Sequence, residues 1–177
     1  FPAEIRAPIG TLPGVSGFQL RFSSDRIFTP GDECDVLVAM NAAALKVNLH
    51  FLKKGGIIIA NTDGFDSKNL RLANYAEEDN PIENDSLTEY TLYKIDVTKL
   101  TRESLKEITT LGAKEKDRAK NMFVLGFLYW MYNRDLESTI SFLTEKFSKK
   151  QDILDSNILT LKAGYYFKEP IPAYQLH

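Results

Sequence analysis

The sequence predicts an α/β fold: an open, mostly parallel sheet with flanking helices and a helical C-terminal third. Three observations carry that prediction. Val36-Leu37-Val38-Ala39-Met40 and Ile57-Ile58-Ile59-Ala60 are short unbroken apolar runs, the signature of strands buried on both faces. A stretch with leucines at helical spacing lies between them, which makes a βαβ unit and therefore two parallel strands. From Ala113 onward the apolar residues recur only at helical intervals.

The elements follow in order. Residues 1–14 carry Pro2, Pro8, Pro13, Gly10 and Gly14, too much punctuation for a helix or a central strand, and read as an ordered loop. Between Val15 and Ser24, Phe18, Leu20 and Phe22 alternate with Gln19, Arg21 and Ser23, the period of a strand with one wet face at or near a sheet edge. After the Val36 run, Asn41 is placed to cap a helix over Ala42 to Lys54, with Leu45, Leu49 and Leu52 on one side. Gly55-Gly56 is expected to stop that helix ahead of the second strand. Residues 76–89, with Glu77, Glu78, Asp79, Glu83, Asp85 and Glu89, read as a solvated acidic insertion. Leu92, Tyr93 and Ile95 form a further strand, and a short helix is expected from Leu100 to Leu111. A long helix from Ala113 carries Met122, Leu125, Phe127, Leu128 and Met131; two more cover Leu136 to Phe147 and Ile153 to Phe167. These helices are expected to cover the sheet within one domain, and they differ too much in length and composition for a solenoid. Pro170-Ile171-Pro172 cannot extend the last one.

With 177 residues, 44% of them hydrophobic, the chain can bury one sizeable core without staples. The 22 basic and 24 acidic residues are spread along it and leave a net charge of −2, which gives no footprint for nucleic acid or an anionic membrane. No apolar run approaches the roughly 20 residues needed to span a bilayer. One cysteine, Cys34, rules out an internal disulfide and a four-cysteine zinc or iron-sulfur site, as in a cytoplasmic chain. Phe1-Pro2-Ala3-Glu4 lacks the basic start of a signal peptide and an initiator Met, consistent with processing or with sequence further upstream.

Few residues carry chemistry. Neither GxGxxG nor GxxxxGK[ST] occurs; Gly10, Gly14 and Gly17 are loosely spaced around Pro13, and Gly55-Gly56 precedes a strand rather than a helix. His50 and His177 are far apart in sequence, and Cys34 sits between Glu33 and Asp35, which disfavour the thiolate. The aromatic stretches Phe127 to Tyr132 and Tyr165-Tyr166-Phe167 are accounted for by core packing or a subunit contact. In the proline-stiffened N-terminal loop, Arg6 is suited to hold a carboxylate or phosphate bidentately, with Glu4 beside it; a local ion pair or an interface contact fits the same residues. Asn121, inside an apolar helix, either bonds a neighbouring loop or lies on the wet face. Asn41 and Asn121 are the two candidate structural polar residues.

Three segments in order resemble a known family: Phe1-Pro2-Ala3-Glu4-Ile5-Arg6-Ala7-Pro8-Ile9-Gly10; Pro30-Gly31-Asp32 through Asp35-Val36-Leu37-Val38-Ala39-Met40-Asn41 to Gly55-Gly56-Ile57-Ile58; and Ala119-Lys120-Asn121-Met122 with Ala163-Gly164-Tyr165. They are similar to the gamma-type domain of 2-oxoacid:ferredoxin oxidoreductases, the 2-oxoglutarate type in which this domain is fused ahead of an alpha domain. The resemblance implies a gamma-type domain over residues 1–169, N-terminally incomplete, and a linker over 170–177 toward an alpha domain. It implies a sheet lacking its N-terminal strand, because the family opens with a glycine-rich strand and helix; the family's Arg is also commonly followed by two glycines, where Ala7-Pro8 stands here.

Such enzymes decarboxylate a 2-oxoacid on thiamine diphosphate, form the acyl-CoA and pass electrons through iron-sulfur clusters to ferredoxin. By this resemblance the chain itself holds no thiamine diphosphate, magnesium or cluster. CoA is a co-substrate and Glu4 and Arg6 face the CoA side, while the partners are the alpha domain, the beta subunit and, through the complex, ferredoxin. The alternative is a stand-alone α/β ligand-binding or adaptor module. A nicotinamide dehydrogenase half would need an upstream glycine motif followed by an acidic ribose ligand.

Overall fold

The computed structural model describes residues 12, 14, 33–76 and 78–167. The fold is α/β, a small parallel sheet with helices, and two compact units divide the chain, Phe1–Ile95 and Asp96–His177. The strand read at Val15 to Ser24 lies outside the described residues.

The first unit holds the sheet, three strands in the order β1 (Cys34–Ala39), β2 (Leu52–Asn61) and β3 (Thr91–Ile95), all parallel. Between β1 and β2 runs α1 (Ala42–Asn48), capped at Asn41 as expected, with the carboxamide oxygen accepting from the Ala44 amide at 2.8 Å. The helix does not reach Lys54. Asn48 turns its side chain back to the Ala44 carbonyl (2.8 Å), Leu49–Phe51 tightens into a 3-10 turn, and β2 begins at Leu52. Gly55-Gly56 therefore lies inside a strand and stops no helix.

The glycines serve a bulge. Cys34 pairs with Leu52 and Val36 with Ile57, so β2 takes five steps where β1 takes two. Gly55 adopts φ +76, a left-handed conformation that a side chain disfavours, and its N–H donates to the Glu89 carbonyl at 3.1 Å. A Cβ at Gly56 would press on the backbone oxygens of Lys53 (2.8 Å) and Asp35 (3.0 Å).

Leu45, Leu52, Ile58 and Phe65 are buried in one apolar core, and Leu12 packs against it. After β2, a 3-10 turn (Thr62–Phe65) leads into α2 (Ser67–Leu72), whose cap, Asp66, accepts from the Asn69 amide at 2.8 Å. Lys46 closes the other end of α2 by donating to the carbonyls of Ala73 (2.8 Å) and Asn74 (3.1 Å). The acidic stretch is less loose than expected. Its described carboxylates are exposed, yet Ile82 and Leu87 enter the core, and the Asn80 carboxamide reaches the Phe65 carbonyl (3.4 Å).

The second unit is helical: α3 (Val97–Ser104), α4 (Ala113–Asp117), α5 (Lys120–Met131), α6 (Glu137–Lys146) and α7 (Gln151–Tyr165). The helix read over Leu100 to Leu111 starts earlier because Asp96 caps it through the Lys99 amide (3.0 Å). It also ends earlier, where Ser104 donates to the Thr101 carbonyl (2.7 Å) and Leu105 closes the last turn. The single helix expected from Ala113 is two, with a break at Arg118-Ala119. The bidentate pair of Arg102 with Asp117 (2.7 Å each) ties α4 to α3. α5 and α7 meet backbone to backbone at Gly126 and Gly164, where a Cβ would collide with the carbonyls of Leu161 and Phe123 respectively.

Candidate functional site

In open parallel α/β sheets, ligands bind beyond the carboxyl ends of the strands, so the residues that follow β1 and β2 are the place to look. β1 runs into Met40-Asn41 and β2 ends in Asn61, followed by Thr62-Asp63-Gly64. The Asn41 carboxamide is used at both ends: its oxygen caps α1 and its Nδ2 donates to the Gly14 carbonyl at 3.0 Å. Asn61 is buried, and its Nδ2 points at the Met40 carbonyl (3.5 Å). Gly64 closes the arrangement from below. A Cβ there would collide with the Met40 carbonyl and stand 2.6 Å from the Asn41 Cα, so only glycine lets the turn after β2 lie against the end of β1.

These side chains hold backbone in place, which makes the edge a platform rather than an acid-base site. Gly14, bonded to Asn41, lies at this edge, and Leu12 packs against the core. Glu4 and Arg6, the candidates for the CoA side, belong to the proline-rich N-terminal segment and lie outside the described residues, as does His177.

The remaining candidates are placed as follows. Cys34 opens β1, at the end of the strand away from Asn41; burial first and Asp35 second push its thiol above the ordinary value, so it stays protonated. His50 is exposed and lies against the Phe51 ring, with centroids 3.9 Å apart. Asn121 is exposed in the first turn of α5, which of the two places open to it is the one on the wet face. The aromatic stretches pack on each other, Phe127 being buried with its ring 5.7 Å from Trp130 and 6.2 Å from Phe167. Among the described residues no group of three His, Cys, Asp or Glu could hold a metal ion, and no helix is long and apolar enough to cross a membrane.

Asn61 and Gly64 were not singled out in the sequence, and Gly14 was named only as backbone punctuation. A signal existed for the first: Ile59-Ala60-Asn61 repeats the Ala39-Met40-Asn41 pattern of an apolar strand closing on Asn. Gly64 is required by its contact with Met40 and Asn41, distant in sequence, and Gly14 is favoured by its backbone at φ +82; no local pattern announces either.

Residues 1–167 match the family model described as pyruvate ferredoxin/flavodoxin oxidoreductase. The chain belongs to that family. It is 48% identical over 176 residues to the 2-oxoglutarate oxidoreductase subunit KorA of Mycobacterium tuberculosis, a match covering 98% of this chain and 26% of that subunit. A solved structure, the 2-oxoglutarate:ferredoxin oxidoreductase from Magnetococcus marinus with 2-oxoglutarate, coenzyme A and succinyl-CoA bound, superposes over 85% of this chain and 23% of its own with a TM-score of 0.56. At 21% identity that likeness speaks for the fold alone. The chain thus spans about a quarter of the length of these relatives. The ordered motifs from Phe1 to Tyr165 had pointed to the same family.

Proposed function

We propose that this chain is the gamma-type domain, residues 1–169, of a cytoplasmic 2-oxoglutarate:ferredoxin oxidoreductase, joined through residues 170–177 to an alpha domain and assembled with a beta subunit. The observation that carries the reading is the 48% identity to a 2-oxoglutarate oxidoreductase subunit along 98% of the chain. The overall reaction converts 2-oxoglutarate and CoA to succinyl-CoA and CO2, with the electrons leaving singly to oxidised ferredoxin. Thiamine diphosphate with magnesium supplies the decarboxylation chemistry and iron-sulfur clusters the electron path. This chain's residues do not fit either group: its single cysteine cannot supply the thiolates of a cluster, and it has no glycine-rich turn for a pyrophosphate. Those groups belong to the other domains.

The part left to this chain is structural and on the CoA side. Arg6 offers a planar fork of donors to a phosphate or carboxylate, and Glu4, two residues earlier, holds the guanidinium in position. The test is steady-state kinetics of the complete enzyme with CoA varied at saturating 2-oxoglutarate and ferredoxin. Arg6→Ala should raise the KM for CoA by roughly tenfold or more, the effect of losing a charge-assisted hydrogen bond, and impair decarboxylation less. Arg6→Lys keeps the charge without the fork and should rescue in part. An unaltered CoA dependence in an intact complex would make the loop a structural contact only.

A further inference from the structure

We propose that Thr101 of α3 and Thr160 of α7 form a binding site for one buried water, which bridges the two helices inside the helical unit.

Both residues are fully buried, and among the described residues neither hydroxyl has a hydrogen-bond partner within the protein. A hydroxyl taken out of solvent without a partner is costly, and folded proteins keep few such groups. Other buried hydroxyls of the unit are satisfied. Ser156 donates to the Ile153 carbonyl at 2.8 Å, and Thr139 shares a bond of 2.9 Å with the Tyr129 hydroxyl.

Helical geometry turns the two threonines to the same contact. On α3 the buried Val97, Thr98, Thr101 and Leu105 lie on one face with Thr101 at its centre, while Arg102, to one side, is spent on Asp117 of α4. That face is left for α5 and α7, against which α3 packs. α5 brings only hydrocarbon to its own buried side, in Phe123, Val124, Gly126 and Phe127. On α7, Leu154, Ile158 and Leu161 join Leu143 of α6 in one apolar cluster, and Gly164 lies against α5. Ser156 and Thr160, one turn apart, occupy the buried side that remains, which within this unit belongs to α3. With Ser156 already engaged, Thr160 is the α7 hydroxyl left for Thr101.

No direct bond closes the pair, so the link needs a further group that both donates and accepts. Water is the smallest. A buried water takes about three hydrogen bonds; the two hydroxyls supply two, and a helix carbonyl, through its second lone pair, supplies the third.

Thr→Val keeps the shape of the side chain and removes the hydroxyl. Hydrogen exchange of the α3 and α7 peptides is followed in the complete enzyme for Thr101→Val, Thr160→Val and the double variant. Each single variant should exchange roughly fivefold faster there, the size of one neutral hydrogen bond, and the double variant little faster than either, because the bridge is lost with the first substitution. Unchanged or slower exchange in both single variants overturns the site, since a hydroxyl without a partner gives way to a methyl at no loss. Single losses that multiply in the double variant, to roughly twenty-five-fold, overturn it too, because each hydroxyl is then held separately. A structure of the enzyme that resolves ordered solvent is the second measurement: a water within hydrogen-bond distance of both Oγ1 atoms is expected, and a dry contact overturns the proposal.

Discussion

The sheet unit and the helical unit bring backbone segments close together by different means. In the sheet unit the approach of Gly64 to Met40 and Asn41 is surrounded by carboxamides, so contact and hydrogen bonding fix the same few residues. In the helical unit α5 and α7 touch through Gly126 and Gly164 among apolar side chains such as Phe123, Phe127 and Leu161. The first arrangement is directional and specifies where a loop goes. The second is steric and specifies how near two helices lie. The directional part lies at the carboxyl edge of a parallel sheet, which is where open α/β folds take ligands.

The largest effect that could break this contrast is at Gly164. An Ala there drives its methyl into the Phe123 carbonyl, with the Phe123 Cα at 3.0 Å, and backbone has no rotamer by which to yield. Separating α5 from α7 enough to admit it should cost about 3 kcal/mol, the upper range for overpacking. Thermal unfolding of the 177-residue chain reads the loss, and hydrogen exchange should place it in α5 and α7 while β1 and β2 keep their protection. A loss under about 1 kcal/mol would mean that the helices part easily and that the close approach is not what holds the unit.

A smaller effect separates the units by pH. Asp66 in the sheet unit is held below the ordinary carboxylate range by the Asn69 amide and then by the Asn69 side chain; Asp117 in the helical unit is held there by its hydrogen bonds from Arg102. Both folded values are depressed, so the unfolded chain binds more protons in mild acid. The stabilisation is complete above the unfolded value of about 3.9 and is lost as pH falls through the folded value. Since a neutral Asn can still accept from Asn69, Asp66→Asn should keep α2 capped and remove its acid sensitivity. Asp117→Asn should weaken the α3 to α4 tie already at neutral pH, because the charge opposite Arg102 is gone. Hydrogen exchange of residues 66–72 and 113–117 at neutral pH and near pH 3 distinguishes the two. Equal acid sensitivity in wild type and both variants would remove these carboxyls from the account.

How much of this was legible in the sequence depended on whether the cause was local. The parallel strands, the Asn41 cap and the helical C-terminal third were, because a buried apolar run, a capping side chain and a repeat near every fourth residue each act within a few positions. The end of α1 was misread because Leu52 continues the spacing of Leu45 and Leu49, yet it serves as the first residue of β2, paired with Cys34. Gly55-Gly56 then looked like a helix stop, since nothing local distinguishes that from a bulge whose partner, Glu89, is 34 positions away. Asn61 and Gly64 were passed over for the same reason: their partners, Met40 and Asn41, lie across the sheet. Glu4 and Arg6 are proposed for the CoA side only from the order of motifs along the chain, and no physical signal in residues 1–10 separates a ligand-binding Arg6 from one in an ion pair.

The smallest expected effect sets one residue type against itself in the two units. Asn41 has both ends of its carboxamide engaged, and replacing it with Ala removes a helix cap worth about 1 kcal/mol together with the bond to Gly14. Asn121 sits in an apolar helix, where the sequence leaves it either bonded to a neighbouring loop or on the wet face, and it is exposed in the first turn of α5. Leu at position 121 therefore strands no buried group. It gains slightly in helix propensity over Asn, and exposed substitutions of this kind stay within about 0.5 kcal/mol. Thermal unfolding of Asn121→Leu beside Asn41→Ala measures the difference directly: near wild type for the first, a clear loss for the second. A penalty of about 1 kcal/mol or more at 121 would mean that its carboxamide is held by partners just as that of Asn41 is, and the polar fastening ascribed to the sheet unit would then extend to α5.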